Sequence, residues 1–205
     1  MKLAELRRWH GIKRTEIKKR LNEFKIPKTN EKILEELCFC ILTANASARM
    51  GLNSIEAIKN KIKTGSASDI QKLLKGKHRF YNMRARYIAH TRDFLRETYN
   101  LDIKKLLDSF KTPEERRHFF AKTKDIKGIG YKEASHFLRN IGYCDYAILD
   151  KHILSCLKDL KVITGKEKDY LEIEKKMKKF AKKIKINMDE LDLALWSYKT
   201  GEILK

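Results

Sequence analysis

The chain has 205 residues, of which 42% are hydrophobic and 36% charged. That is enough for one substantial core or two small lobes, and too little for a multidomain machine. Lys and Arg outnumber Asp and Glu by 47 to 27, a formal charge of +20, and the excess recurs in every third of the chain, so the expected partner is a polyanion. A Lys- and Glu-rich surface also suits a thermophile, which the single glutamine, Gln71, fits and the two prolines do not; thermophily explains many charges but not an imbalance of twenty. No apolar run approaches the roughly 18 residues that span a bilayer, and Met1-Lys2-Leu3-Ala4-Glu5 turns charged at once, without the apolar stretch of a signal peptide. The expectation is an intracellular protein, cytoplasmic or nucleoid-associated, with no membrane partner.

Almost every segment carries helical rather than alternating periodicity. Ile33, Leu34, Leu37, Ile41 and Leu42 form a first apolar stripe. Cys38, Cys40, Cys144 and Cys156 contain no C-x-x-C pair, so reduced, mostly buried thiols are expected rather than a zinc or iron–sulfur site. Breaks are expected near Pro27, Gly51, Gly65 to Ser68, Gly76, Thr112-Pro113, Gly128 to Gly130, Gly142 to Asp145 and Gly165, implying an all-α protein of roughly ten helices. Thr112-Pro113-Glu114-Glu115 reads as a helix start, with its cap, first-turn proline and acidic first turn.

The stretch Asp125-Ile126-Lys127-Gly128-Ile129-Gly130-Tyr131-Lys132-Glu133-Ala134 carries the most chemistry. Glycines flanking an apolar residue allow positive φ and close approach of a phosphate to backbone N–H groups, at a turn that opens a helix N-terminus. By itself Gly-x-Gly equally describes a plain tight turn. Lys132 falls in the first turn of the following helix, where the dipole disfavours an ammonium and favours the nucleophilic amine. With Ala134, Phe137, Leu138 and Ile141 toward the core, Lys132 is expected to share the opposite, outward side with His136 and Arg139. Asp150 follows Tyr146-Ala147-Ile148-Leu149 and precedes Lys151-His152-Ile153-Leu154. It reads as the N-cap of the next helix and as a carboxylate able to accept a proton or to stabilise positive charge on a sugar.

The Gly hairpin, a lysine two residues after its second glycine, and Leu149-Asp150-Lys151-His152 beyond it resemble the helix-hairpin-helix DNA glycosylase superfamily. The lysine resembles the mark of the bifunctional branch, which removes a base and also nicks the strand. The resemblance implies a two-lobed helical fold, one unit over residues 1–205 with the active site in the cleft between lobes and the helix-hairpin-helix at about 117–140. It implies catalytic roles for Lys132 and Asp150, and DNA contacts from Lys127, Gly128, Gly130 and His152. Ile41-Leu42-Thr43-Ala44-Asn45 is similar to the segment that inserts a polar residue, here Asn45, into the gap left by a flipped nucleotide, with Phe80 as a second wedge. Arg84-Ala85-Arg86-Tyr87 is similar to the segment facing the estranged base, which makes Arg84 a DNA contact. Asn45 as a plain C-cap and Arg84 as a phosphate contact are the simpler readings of those residues.

No cysteine follows Cys156, which disfavours the cluster-bearing endonuclease III branch, and the chain begins directly in helical sequence, without the β-rich domain of eukaryotic-type enzymes. What remains resembles the small archaeal-type 8-oxoguanine DNA glycosylase/AP lyases, also found in some bacteria. In that family the terminal lysine, here Lys205, takes part in base recognition through its carboxylate, and Trp196 is placed to stack on the flipped base; the simpler reading of Trp196 is a core aromatic. A fixed acceptor at N7 would separate 8-oxoguanine, which carries an N7–H, from guanine, which does not. The implied activity is excision of 8-oxoguanine from damaged double-stranded DNA and nicking by β-elimination through a lysine Schiff base, by a monomer. It needs no organic cofactor or catalytic metal, although hairpin carbonyls can hold a structural alkali or alkaline-earth ion. The alternatives are a glycosylase/lyase for another oxidised base, a non-catalytic DNA-binding module, or an RNA-binding helical protein.

Overall fold

The computed structural model describes residues 1–204; Lys205 lies outside the described residues. Those residues form eleven α-helices: α1 (Leu3–Lys25), α2 (Asn30–Thr43), α3 (Ala48–Ile58), α4 (Ala67–Leu74), α5 (Tyr81–Tyr99), α6 (Ile103–Asp108), α7 (Pro113–Lys122), α8 (Tyr131–Asn140), α9 (Lys151–Asp159), α10 (Tyr170–Ile184) and α11 (Met188–Thr200). The all-α expectation therefore holds. The chain divides into two compact units, residues 27–137 and residues 1–26 with 138–205, and the boundary falls inside α8.

The unit of residues 27–137 is built around α2, which packs on α3, α5 and α6. Ten of the fourteen α2 residues are buried, from Ile33 to Thr43, so this helix is covered on nearly every side, as a central element must be. Ile70 and Leu74 of α4, Ile88 and Leu95 of α5, and Phe120 of α7 close the core with Phe137. Phe120 and Phe137 lie 4.9 Å apart. The start of α7 forms as its sequence suggests: Thr112 Oγ1 accepts the Glu115 N–H at 3.1 Å, and Glu115 reaches back to the Thr112 N–H at 3.3 Å.

One expected break is absent. Gly51 lies inside α3 rather than between helices; the chain turns instead at Ala44–Ser47, where Ser47 caps α3. The glycine serves packing, because a Cβ at position 51 would stand 2.4 Å from Thr43 Cγ2 of α2. Two small surfaces let the helices approach closely, a use of glycine that a turn rule cannot separate from a break.

In the other unit α11 is central and packs against α1, α9 and α10. Leu6 and Ile17 of α1, Ile153 and Leu157 of α9, Met177 of α10 and Leu191 and Leu195 of α11 share the core. Residues Tyr146–Leu149 cross this core without regular structure and are buried, so their backbone groups need partners. Side chains supply them. The Ala147 N–H donates to Glu174 at 2.9 Å, the Ile148 N–H to Asp192 at 2.9 Å and the Leu149 N–H to the Tyr170 hydroxyl at 3.4 Å, while the preceding Asp145 N–H donates to Asp189 at 3.0 Å.

Asp192 also pairs with Arg139 of α8 at 2.9 Å, and both side chains are at most 5% exposed. Burial pushes the Asp192 carboxyl up to about 7, against the opposing pull of Arg139 and the Ile148 N–H. This corrects the expectation for α8. His136 and Arg139 are 9% and 5% exposed rather than outward-facing, and α8 is buried from Ala134 to Asn140. Of the thiols, Cys38, Cys40 and Cys156 are buried and Cys144 is exposed, all unbridged; burial pushes Cys38 up to about 12.

Asp192→Asn keeps an acceptor for the Ile148 N–H and removes the carboxylate beside a buried guanidinium. It is expected to lower stability by about 3–5 kcal/mol, measured by denaturant unfolding.

Candidate active site and DNA-binding hairpin

Between α7 and α8 the chain makes the expected hairpin. Ile126 and Ile129 are 4% and 8% exposed and anchor it, and Gly128 between them adopts φ +76°, which glycine takes without the Cβ penalty. The glycine is also required by contact. A Cβ there would stand 2.6 Å from Tyr87 Cδ2 and 3.0 Å from an Arg84 guanidinium nitrogen of α5. The Lys127 N–H donates to Thr91 Oγ1 at 2.9 Å, tying the turn to α5. Gly130 is exposed at the tip, and its N–H donates to Glu133 Oε2 at 3.2 Å.

Lys132 is the second residue of α8. Its side chain is 31% exposed, and its Nζ lies 2.9 Å from Glu133 Oε1 in an ion pair. Glu133 has no place among the residues expected from the sequence, although a Glu three residues after the turn glycine is the signal of a side chain reaching back over a helix start.

Asp150 caps α9 as expected. Its Oδ1 accepts the His152 and Ile153 N–H groups at 2.8 and 2.9 Å, and its Oδ2 accepts the Trp196 indole N–H at 3.1 Å. Trp196 is half-buried against the core of its unit, and its indole N–H orients the candidate catalytic carboxylate. His152 contributes its backbone to the cap, with its side chain half-buried. Asp150, Trp196 and His152 thus come together in one unit, and Lys132, Lys127, Gly128 and Gly130 in the other. Lys205 lies outside the described residues; Ile203 before it is buried in the core of its unit.

The turn after α2 is held by α5 and the residues preceding it. Asn45 is exposed with φ +58°, a left-handed conformation that asparagine tolerates. Its carbonyl accepts from Arg79, the Ala44 carbonyl from Arg84, and the Leu42 carbonyl from His78 Nε2 at 2.8 Å. The Phe80 N–H donates to His78 Nδ1 at 3.0 Å, which leaves the proton on Nε2 and the ring neutral. Burial pushes the His78 pKa down in the same direction. Arg84 is 3% exposed, with its guanidinium 5.8 Å from the rings of both Phe80 and Tyr87, and burial lowers its pKa. The structure therefore gives Arg84 another job than facing DNA: it braces the Asn45 turn from inside. Arg79 stacks over Phe80 at 4.5 Å.

Among the described residues no group of three or more His, Cys, Asp or Glu side chains could hold a metal ion, and no helix is long and apolar enough to cross a membrane.

The profile of a family described as 8-oxoguanine DNA glycosylase matches residues 17–186. The 8-oxoguanine DNA glycosylase/AP lyase of Methanocaldococcus jannaschii is 41% identical over 95% of this chain and 96% of its own length. That of Fusobacterium nucleatum is 41% identical over 92% and 90%. Among solved structures, the M. jannaschii 8-oxoguanine glycosylase/lyase in complex with a 15mer DNA containing 8-oxoguanine superposes with a TM-score of 0.87 at 38% identity, covering 99% of this chain and 100% of that one. The 8-oxoguanine DNA glycosylase of Thermotoga maritima gives 0.87 at 33%, covering 99% and 98%.

Gly128→Ala places a Cβ against Tyr87 in a left-handed backbone. It is expected to cost about 1–3 kcal/mol and to weaken binding to undamaged duplex DNA, read by melting and by fluorescence anisotropy.

Proposed function

The chain belongs to the 8-oxoguanine DNA glycosylase family, and from that membership we propose how its own residues carry the reaction. It is a glycosylase and AP lyase acting on duplex DNA that contains 8-oxoguanine. The hairpin around Gly128 binds phosphate without reading sequence, the Asn45 turn and Phe80 fill the space vacated by the flipped nucleotide, and the Trp196 ring offers its face to the extruded base.

The observation that carries the assignment of roles is the position of Lys132, partly exposed on the helix that the phosphate-binding hairpin opens. Its amine lone pair forms a bond to the sugar C1′ while the bond from C1′ to the base nitrogen breaks, and the base leaves with that electron pair and gains a proton. The sugar ring then opens to an imine. Loss of a C2′ proton breaks the C3′–O bond and releases the 3′ phosphate. Asp150, fixed by three N–H donors, supplies a preorganised negative group for the positive charge that develops on the sugar. We propose further that no organic cofactor or catalytic metal takes part, because an amine and a carboxylate suffice for these steps. An ion held by hairpin carbonyls would serve only as a bridge to phosphate. The enzyme is proposed to work as an intracellular monomer.

Borohydride treatment of the enzyme with an 8-oxoguanine duplex is expected to trap a covalent adduct that Lys132→Gln abolishes; an adduct that survives in that variant refutes the assignment. Asp150→Asn is expected to slow base release about 10²- to 10³-fold, measured in single-turnover excision. Duplex affinity is expected to fall steeply with salt, because a surface of this charge neutralises several phosphates.

A further inference from the structure

Asp150 has little capacity left as a proton acceptor. One of its oxygens already takes two backbone N–H groups and the other the Trp196 indole. The amine of Lys132, for its part, must shed a proton before its lone pair can attack carbon. The carboxylate beside that amine belongs to Glu133, whose Oε1 is 2.9 Å from Nζ and whose side chain is only 13% exposed. Glu133 cannot drift, because its second oxygen accepts the Gly130 N–H at 3.2 Å. One oxygen is thus tied to the hairpin backbone while the other holds the amine.

We infer that Glu133 is a positioning residue for Lys132: anchored on Gly130, it holds the amine at the hairpin and receives the proton that the amine releases as it becomes a nucleophile. The step balances. An N–H bond of Lys132 breaks, its electron pair stays on nitrogen and forms the bond to C1′, and the proton moves to Glu133 Oε1. Asp150 keeps the electrostatic role that its three N–H donors suit. Arg84 of α5 also acts on Glu133; it does not compete for the Lys132 proton, since a guanidinium has no acceptor. This inference rests on Lys132 being the nucleophile.

The test uses a duplex with a preformed abasic site, at saturating DNA, and follows the single-turnover rate of borohydride-trapped adduct across pH. Glu133→Gln keeps an acceptor for the Gly130 N–H and loses the proton-accepting carboxylate. It is expected to trap at least about tenfold more slowly near neutral pH, with the deficit shrinking as pH rises, because at high pH the amine loses its proton to solvent instead. Glu133→Asp, a carboxylate on a shorter arm, is expected to recover part of the rate. A rate for Glu133→Gln within twofold of wild type overturns the inference, and so does a deficit of constant size at every pH, which a purely structural cap would produce. If Glu133→Gln melts well below wild type, Glu133→Asp decides: a pH profile parallel to wild type supports the inference, and one as impaired as the glutamine variant overturns it. Lys132→Gln in the same assay separates the failures, since an adduct that persists there removes the nucleophile assignment and this inference with it.

Discussion

The buried carboxylate of Asp192 is the point on which the unit of residues 1–26 and 138–205 depends. It receives the Ile148 N–H and the Arg139 guanidinium at 2.9 Å each, joining α11, α8 and the irregular segment that leads to Asp150. Burying an extended stretch in a helical core would ordinarily leave its amides unpaired, at a cost comparable to a lost hydrogen bond for each. Asp189 and Asp192 of α11, and Glu174 and the Tyr170 hydroxyl of α10, take those amides in turn. The segment is thereby fixed residue by residue up to the cap, and Asp150 enters α9 with its position determined. Conformational entropy is lost once, on folding, rather than at the moment of reaction.

The unit of residues 27–137 uses side-chain donors for the same purpose. The C-terminal carbonyls of α2 and the turn beyond have no helical partners, and Arg79, Arg84 and His78 provide donors for them. Because the Arg84 guanidinium also limits the space over Gly128, the Asn45 turn and the hairpin share one internal brace. Two exposed turns are thus registered to each other through a side chain that is itself hidden from solvent.

What could be read from the sequence was mostly local. The Thr112 box, the positive-φ glycine of the hairpin and the Asp150 cap each follow from rules spanning four or five residues, and the all-helical class from periodicity. The features that escaped depend on partners distant in sequence. Gly51 looked like a break because nothing nearby announces that Thr43 will pack on it. Arg139 and His136 looked exposed because amphipathicity assumes one buried face, whereas α8 is buried on most sides and the Arg139 charge is met by Asp192, 53 residues away. Arg84 resembled a DNA contact by its place in a motif, but burial gave it a carbonyl instead. Glu133 was legible in principle. Its spacing from Gly130 is that of a helix-start contact, the same local signal that marks the Thr112 box.

The distribution of the acids explains how a protein of this charge keeps its surface available to DNA. Of only 27 acidic residues, several of those nearest the candidate chemistry are withdrawn from solvent and committed: Glu174, Asp189 and Asp192 are between 1% and 6% exposed. Each accepts a backbone N–H, and so do the less buried Asp150 and Glu133. A carboxylate spent in this way is satisfied internally and adds little negative potential where a phosphate would approach, so the basic excess elsewhere acts on the duplex with less opposition. The same economy suits the reaction. Glu133, proposed to take the Lys132 proton, has its second oxygen held by the Gly130 N–H, which keeps it in place whatever occupies the surface around it.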